Sequence, residues 1–233
     1  MTIALTVKGR DNIVMATDSC LTVDESRGIY WRHVQKTFWL PSPLNIGVSF
    51  SGCANIAPGV SIDTFIYNFI KFCIANTHTY QSLDDIAMLL IDRIRLTKTS
   101  AGVLHALVAG YVSVDGMKSP KVWHLSSTSS VEDESFHGPG VNGIGECAVL
   151  DRIFADPMAG NHIPGHNDLR CFTVQFSEFS VEDSINYCNR VIQLTEAEHE
   201  NVSSPSHMLL ITPAGSRWIA PPPIDMGLNN PLA

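Results

Sequence analysis

The strongest constraint on the fold is the order in which two hydrophobic periods follow each other along the chain. Segments with the alternating pattern of β-strands are grouped near the beginning, middle and end, and segments with helical spacing are grouped between them. Grouped strands and grouped helices favour packed sheets with helices outside over alternating βαβ units. Because no linker or internal repeat is visible, residues 1–233 are expected to form one α+β domain, with an irregular Pro-rich tail from about residue 221.

The predicted strands begin with a hairpin. Apolar side chains alternate with polar or smaller ones over residues 3–8, which predicts a half-buried strand, and a turn at residues 9–12 precedes an apolar second strand. The following Asp24–Gly28 segment is expected to be a loop, and Asp115-Gly116 predicts a second hairpin. The remaining strands are expected over residues 34–40, 45–54, 104–111, 121–125, 207–213 and 217–220.

Four segments have helical character. A stripe of apolar residues spaced by three and four runs from Ile62 to Cys73 and predicts a helix with a buried face. Ser82 and Ser180 are each followed three residues later by an aspartate, and this pattern predicts an N-cap at each serine. A shorter helix is expected over residues 146–154.

Charge and composition exclude several functional classes. The chain has 15 Lys and Arg against 23 Asp and Glu, for a net charge of −8, so binding to nucleic acid or to an anionic membrane is not expected. No apolar window is long enough for a membrane-spanning helix, and the first residues lack a signal-peptide pattern. A cytoplasmic location is therefore expected, in which the six cysteines are reduced and mostly buried.

Thr2 combines two groups that catalysis can use. If Met1 is removed, residue 2 presents a hydroxyl and a free α-amine, and an N-terminal amine has a pKa of about 7.7–8.0. Such an amine accepts a proton near neutral pH and can activate the hydroxyl of its own residue. A nearby cation would lower the pKa of that hydroxyl, and a carboxylate would hold the cation in place.

Asp18 and Lys36 are the candidates for these two charges. Both lie in or at the end of apolar strands, where a charge requires a partner. The alternative for Lys36 is an outward-facing position on an alternating strand, because lysine side chains are usually exposed.

The same residues carry a resemblance to a known family. Thr2, the segments 13–18 and 35–40, and the Ile46–Gly52 strand follow one another as in proteasome β-type subunits and their bacterial HslV and Anbu-like relatives. The likeness continues more weakly to about Ile219. It implies the four-layer αββα sandwich of N-terminal-nucleophile hydrolases and a threonine peptidase that works within a ring assembly.

The resemblance also implies roles for individual residues. Thr2 matches the nucleophile and base, Lys36 the lysine that lowers the pKa of its hydroxyl, and Asp18 the carboxylate that orients the lysine. Gly52 matches the glycine whose N–H binds the oxyanion. Phe50 and Ala54 match walls of an apolar, moderately shallow substrate pocket.

The supporting residues depart from the family pattern. The Gly-Ser-Gly segment of the family is matched by Gly143-Ile144-Gly145, so the hydroxyl is missing at Ile144. The late Asp-x-x-Ser pair is matched by Glu200 and Ser203, with Asn201 and Ser204 as an alternative register. These departures leave open a catalytically impaired ring or scaffold subunit, or an amidase acting on small amides.

Three further patterns favour no separate site. Gly138–Gly143 spells GxGxxG, but the preceding residues are polar, so a loop is expected rather than a dinucleotide site. His162, His166 and Asp168 surround Pro164-Gly165, which disfavours a zinc site on one helical face. Cys20 is expected to be a buried structural cysteine.

The leading hypothesis is thus a threonine-type endopeptidase without cofactor or metal. Its expected partners are peptide or unfolded-protein substrates, further copies of the chain in a ring, and an ATPase unfoldase of unknown identity. The Phe-rich helix that begins at Ile62 provides apolar surface for such self-association.

Overall fold

The computed structural model describes residues 2–24, 29–31, 34–99, 102–128, 133–150, 176–199, 202–203 and 206–221. These residues form antiparallel sheets and helices in separate groups, so the fold class is α+β, as the grouped periods predict.

The first large sheet contains both ends of the described chain. Its strands, numbered in chain order through the whole molecule, are β1 (Ile3–Lys8), β2 (Ile13–Thr17), β12 (Gly140–Gly145), β13 (His207–Thr212) and β14 (Gly215–Ala220). They are arranged in the order β12-β1-β2-β13-β14, and every neighbouring pair is antiparallel. β1 therefore has a partner on each side.

The second large sheet is built from the middle of the chain. Its strands are β5 (Thr37–Leu40), β6 (Ile46–Gly52), β9 (Leu104–Val114), β10 (Met117–Ser126) and β11 (Glu134–His137). Their order is β11-β10-β9-β6-β5, with the predicted Asp115-Gly116 turn between β9 and β10. Two small ribbons complete the described strands: β3 (Leu21–Asp24) with β4 (Ile29–Trp31), and β7 (Asn55–Ala57) with β8 (Val60–Ser61).

Three long helices are described: α1 (Ile62–Ala75), α2 (Leu83–Thr97) and α3 (Val181–Glu198). Both predicted N-caps are confirmed. Ser82 and Ser180 each accept a hydrogen bond from the backbone N–H of the aspartate three residues later, whose carboxylate accepts one from the backbone N–H of the serine. A short 3-10 helix spans Phe176–Glu178, and residues 148–150 are helical, while the remainder of the predicted 146–154 helix lies outside the described residues.

Three apolar clusters hold these elements together. The first packs α1 and α2 against one face of the second sheet, and the second packs α3 against one face of the first sheet. The third joins residues of the two sheets, including Met15 and Leu209 from the first and Leu107 and Val122 from the second. Gly47 of β6 lies at this contact, where a Cβ atom would come within 2.3 Å of the Met15 sulfur.

Two predictions about the first sheet are wrong. β1 is buried on both faces rather than half-buried, because one face meets α3 and the other lies in the contact between the sheets. The Gly138–Gly143 loop is in part the strand β12, which pairs with β1 from Ile3↔Gly145 to Lys8↔Gly140. A side chain does not fit at position 143 of this strand, because a Cβ atom on Gly143 would lie 2.5 Å from Leu150. The strand therefore lacks the alternation of apolar and polar side chains that identifies a strand in the sequence.

Two boundaries also differ from the prediction. Asp24, the predicted first residue of a loop, is instead the last residue of β3, which pairs with β4. Residues 25–28 lie outside the described residues. The strand predicted from residue 34 begins only at Thr37, so Lys36 immediately precedes it.

The burial of Lys8 on β1 predicts a pH-dependent stability. Lys8 is 2% exposed, its ammonium donates to the carbonyl of Phe136 at 3.1 Å, and burial lowers its pKa from 10.5 to about 8. The folded state therefore releases this proton at a lower pH than the unfolded state does. We expect Lys8 to make the free energy of unfolding rise with pH between about 8 and 10.5, relative to a variant that lacks this ammonium.

The measurement is urea denaturation across this pH range. Lys8→Met should remove this contribution, because the Lys8 ammonium then no longer titrates. Lys118→Met, at an exposed position of β10, is the control and should retain it. The interpretation is wrong if Lys8→Met keeps the pH profile of the unsubstituted protein.

Candidate active site

A buried ion pair joins Asp18 and Lys36. Lys36 Nζ donates to Asp18 Oδ1 at 3.0 Å and to Oδ2 at 2.9 Å, and the side chains are 7% and 0% exposed. The Lys36 ammonium also donates to the backbone carbonyl of Cys20. The outward-facing alternative for Lys36 is therefore wrong, because its charge is buried against a carboxylate and a carbonyl.

Backbone groups satisfy the rest of the Asp18 carboxylate. Ile3 N–H donates to Oδ1 at 3.0 Å and Cys20 N–H donates to Oδ2 at 2.9 Å. Burial raises the pKa of Asp18, and Lys36 and these two N–H donors act in the opposite direction. Burial likewise lowers the pKa of Lys36, and the Asp18 carboxylate opposes that shift. Each group thus relies on the charge of its partner to remain ionised in this buried position.

Thr2 lies beside this pair through the main chain. Its neighbour Ile3 binds Asp18 in both directions, since Ile3 N–H donates to the carboxylate and Asp18 N–H donates to the Ile3 carbonyl at 3.2 Å. The carbonyl of Thr2 accepts from Glu146 N–H at 2.8 Å, and Thr2 is 7% exposed. Ile3, the residue next to Thr2, is therefore bound to the carboxylate that holds Lys36.

A chain of hydroxyl groups crosses from one sheet to the other next to the ion pair. Thr17 Oγ1 lies 3.1 Å from Thr37 Oγ1, which lies 2.9 Å from Ser49 Oγ, and all three residues are fully buried. Thr17 precedes Asp18 and Thr37 follows Lys36, so these bonds fix the strand ends that carry the two charges. The sequence analysis missed them, although Ser49 and Ser51 alternate with apolar residues on β6.

Two residues that border the site are glycines, and at both positions a side chain would clash with the neighbouring backbone. Gly52 ends β6 with φ +108°, is exposed, and a Cβ atom there would lie 2.1 Å from the Val103 carbonyl oxygen. Gly145 ends β12 with φ +90°, and its Cβ would lie 1.8 Å from the Thr2 carbonyl oxygen and 3.1 Å from Ser51 Oγ. Gly145 therefore marks the point where Thr2 of one sheet approaches Ser51 of the other.

The two predicted pocket residues have different surroundings. Phe50 is buried in the core under the helices, with its ring 6.1 Å from that of Phe38 in an edge-to-face arrangement. Ala54 is partly exposed just after β6, and its carbonyl accepts from Ile62 N–H at 3.0 Å. Their role in binding substrate stays a prediction.

The supporting residues differ in what they offer. Ile144 is buried in the apolar contact between the sheets, opposite Ala4 of β1, and brings no polar group to Thr2. The carbonyl of Ser203 accepts from Ser19 N–H at 3.1 Å, while its buried hydroxyl has no hydrogen-bond partner in the described structure. Glu200, Asn201 and Ser204 lie outside the described residues.

The other patterns add no separate centre. Cys20 is buried, its backbone N–H donates to Asp18, and its carbonyl accepts from Lys36. His162, His166 and Asp168 lie outside the described residues. Among the residues that are described, no group of three or more His, Cys, Asp or Glu is arranged to hold a metal ion, and no helix has the length and apolar character to cross a membrane.

Comparison with known proteins gives no family assignment. No protein-family model matches the chain, and no curated protein matches it. The candidate site therefore depends on the residues and the geometry described above.

The ion pair predicts a large loss of stability when one partner is removed. Lys36→Met leaves a buried carboxylate without its cation, and we expect the free energy of unfolding to fall by about 3–5 kcal/mol. The exposed Arg10–Asp11 pair, with side chains 79% and 71% exposed at 3.1 Å, is the control, and Asp11→Asn should cost less than about 1 kcal/mol. Equal losses in urea denaturation at pH 7 would contradict the importance of the buried pair.

The close approach at Gly145 predicts an unusually costly alanine substitution. Gly138 also has positive φ, +74°, but nothing lies within 4 Å of its Cβ position. Gly138→Ala should cost about 1–2 kcal/mol from backbone conformation alone. Gly145→Ala should cost clearly more, because the added methyl group also meets the Thr2 carbonyl. Similar unfolding free energies for the two variants would show that the backbone around Gly145 moves to make room for the methyl group.

Proposed function

We propose that this chain is a threonine-type endopeptidase related to proteasome β-type subunits, with Thr2 as nucleophile and base after removal of Met1. The observation that carries the proposal is the direct link from the backbone next to Thr2, through Asp18, to Lys36. These residues are far apart in the sequence, and an N-terminal nucleophile needs them together: a hydroxyl and amine, a cation, and a carboxylate that holds the cation.

The same proposal extends to the fold. We assign the chain to the four-layer αββα architecture of N-terminal-nucleophile hydrolases. Support comes from the three apolar clusters, one between each sheet and its helices and one between the sheets. In that architecture the nucleophile begins a strand at one end of the contact between the sheets, which fits the position of Thr2 before β1.

The reaction follows from the groups present. The Thr2 hydroxyl attacks the carbonyl carbon of a peptide bond while the α-amine, directly or through a water molecule, takes its proton. The positive charge of Lys36 stabilises the deprotonated Thr2 hydroxyl, and Gly52 N–H binds the oxyanion of the tetrahedral intermediate. Expulsion of the leaving amine, which takes up the proton, gives an ester on Thr2. Water then hydrolyses this ester and regenerates the hydroxyl.

Assembly and location are part of the proposal. We assign the protein to homo-oligomeric rings in the cytoplasm that enclose Thr2 and admit peptide or unfolded-protein substrates, with an ATPase unfoldase as a further partner. The partly exposed aromatic residues Phe65 and Phe72 on α1 offer apolar surface for contacts between copies.

One observation favours a second candidate function. Ile144 is apolar at the position where the family has its supporting serine, so a ring or scaffold subunit with impaired catalysis is the alternative. A small-amide hydrolase would use the same nucleophile and differ only in substrate, which comparison of peptide and small-amide turnover would reveal.

The proposal predicts a covalent adduct at Thr2. A peptide epoxyketone reacts with both the hydroxyl and the amine of an N-terminal threonine. The intact mass of the purified protein should therefore show loss of Met1 and a single adduct. Thr2→Ala should give no adduct and no peptide turnover while its oligomeric state stays unchanged. Thr2→Ser, which keeps a hydroxyl, should still be labelled.

Other outcomes separate the candidates. Loss of Met1 without an adduct would favour the ring or scaffold subunit, and full turnover by Thr2→Ala would overturn the threonine mechanism. If Met1 is retained, the protein is produced with a cleavable N-terminal fusion that exposes Thr2, and the same labelling decides.

A further inference from the structure

Three polar side chains form a row across the second sheet on the face turned toward the first. Ser51 on β6 lies directly opposite His105 on β9. His105 Nδ1 lies 3.2 Å from Nε2 of His124 on β10, and their ring centroids are 5.3 Å apart. None of the three takes part in the reaction proposed for Thr2.

The Ser51 end of this row lies at Thr2. The Cβ position of Gly145 is 3.1 Å from Ser51 Oγ and 1.8 Å from the Thr2 carbonyl oxygen, so both groups lie close to Gly145. Ser51 is buried, and among the described residues no hydrogen bond occupies its hydroxyl. A donor and acceptor beside the nucleophile is thus left uncommitted.

The first sheet offers no hydroxyl of this kind at the expected place. Ile144 occupies the position of the supporting serine and packs with Ala4 and other apolar residues. The second sheet does bring a hydroxyl to this point, because Ser51 Oγ lies next to Gly145.

We propose that Ser51 is a positioning residue for the Thr2 amine and hydroxyl, and that His105, held by His124, orients the Ser51 hydroxyl. This inference rests on the proposed function. In a neutral imidazole one nitrogen donates and the other accepts. The contact with His124 occupies His105 Nδ1 and leaves His105 Nε2 for Ser51 or for a water molecule next to it.

The protonation state of the histidines supports this arrangement. Burial lowers the pKa of His105, and burial together with His105 lowers the pKa of His124, so both rings are neutral at pH 7. The charged groups facing His124 are Glu134, opposite it on β11, and Asp133, which is paired with Arg95 of α2 at 3.0 Å. Protonation of both rings would turn both facing nitrogens into donors and break the contact between them.

The first test separates positioning from binding. Ser51→Ala should lower kcat for a fluorogenic peptide by about 10- to 100-fold with little change in KM, as the loss of an orienting contact does. Ser51→Thr keeps the hydroxyl and should recover most of kcat. Ser113→Ala, at an exposed position of β9, is the control for serine removal. Circular dichroism and oligomeric state show whether each variant is folded.

The second test uses the pH profile. In the unsubstituted protein kcat should fall on the acid side in two steps, first as the Thr2 amine takes up a proton and then, at lower pH, as the histidine pair does. His124→Gln keeps an amide group at the position of Nε2 but does not titrate, so it should retain the kcat at pH 7 and the step of the amine and lose the step at lower pH. His124→Leu should lower kcat at every pH.

The rate of epoxyketone labelling at Thr2 distinguishes the two proposals. Labelling of the unsubstituted protein, together with unchanged kcat and pH profile in Ser51→Ala and His124→Leu, would overturn the positioning role and leave the threonine mechanism intact. Absence of labelling and turnover in the unsubstituted protein, with Met1 removed, would contradict both.

Discussion

The structure around Thr2 depends on the buried contact between Asp18 and Lys36. Moving two charges out of water is costly, and the contact is favourable only where the remaining hydrogen-bonding capacity of both groups is used. Here the carboxylate receives Lys36, Ile3 N–H and Cys20 N–H, and the ammonium also reaches the Cys20 carbonyl. The pair therefore joins the beginning of β1, the end of β2 and the residue before β5, which belong to two different sheets. A shift of any one of these segments would leave a buried charge without a partner.

Polar groups continue from this pair through the contact between the sheets. The hydroxyls of Thr17, Thr37 and Ser49 satisfy one another there, and Gly145 allows Thr2 and Ser51 to approach. Farther along the same contact an apolar cluster joins the two sheets, and Gly47 admits the Met15 side chain. The contact therefore combines a tightly packed apolar cluster with polar groups at the end that holds Thr2. Such a division keeps the candidate nucleophile on a rigid base while leaving chemistry possible at its edge.

Much of the fold was predictable because local patterns and tertiary structure agree. The helices that begin after Ser82 and Ser180 carry their capping boxes in the sequence, and the hairpin at Asp115-Gly116 carries its turn residues. The pairing of Asp18 with Lys36 was predictable as a candidate, because a charge within an apolar strand requires a partner. The strand β12 was not predictable from alternation, since close packing against β1 and Leu150 leaves no room for a side chain at Gly143 and Gly145. The burial of Lys8 was missed for a related reason: the residue pattern of a single strand does not show whether one or both of its faces are covered in the folded protein.

The residues that sequence reasoning missed at the site share one property. Ser51 and His105 become relevant only through contacts between strands that are distant in the chain: Ser51 approaches Thr2 at Gly145, and His105 lies opposite Ser51 on the neighbouring strand. A family pattern aligned along the chain identifies Ile144 as the place of a missing hydroxyl, but it contains no information on whether the opposite sheet supplies another. The geometry adds that information, because Gly145 allows Ser51 of the second sheet to approach Thr2. An apolar side chain at Ile144 is thus not equivalent to an absence of polar groups near Thr2.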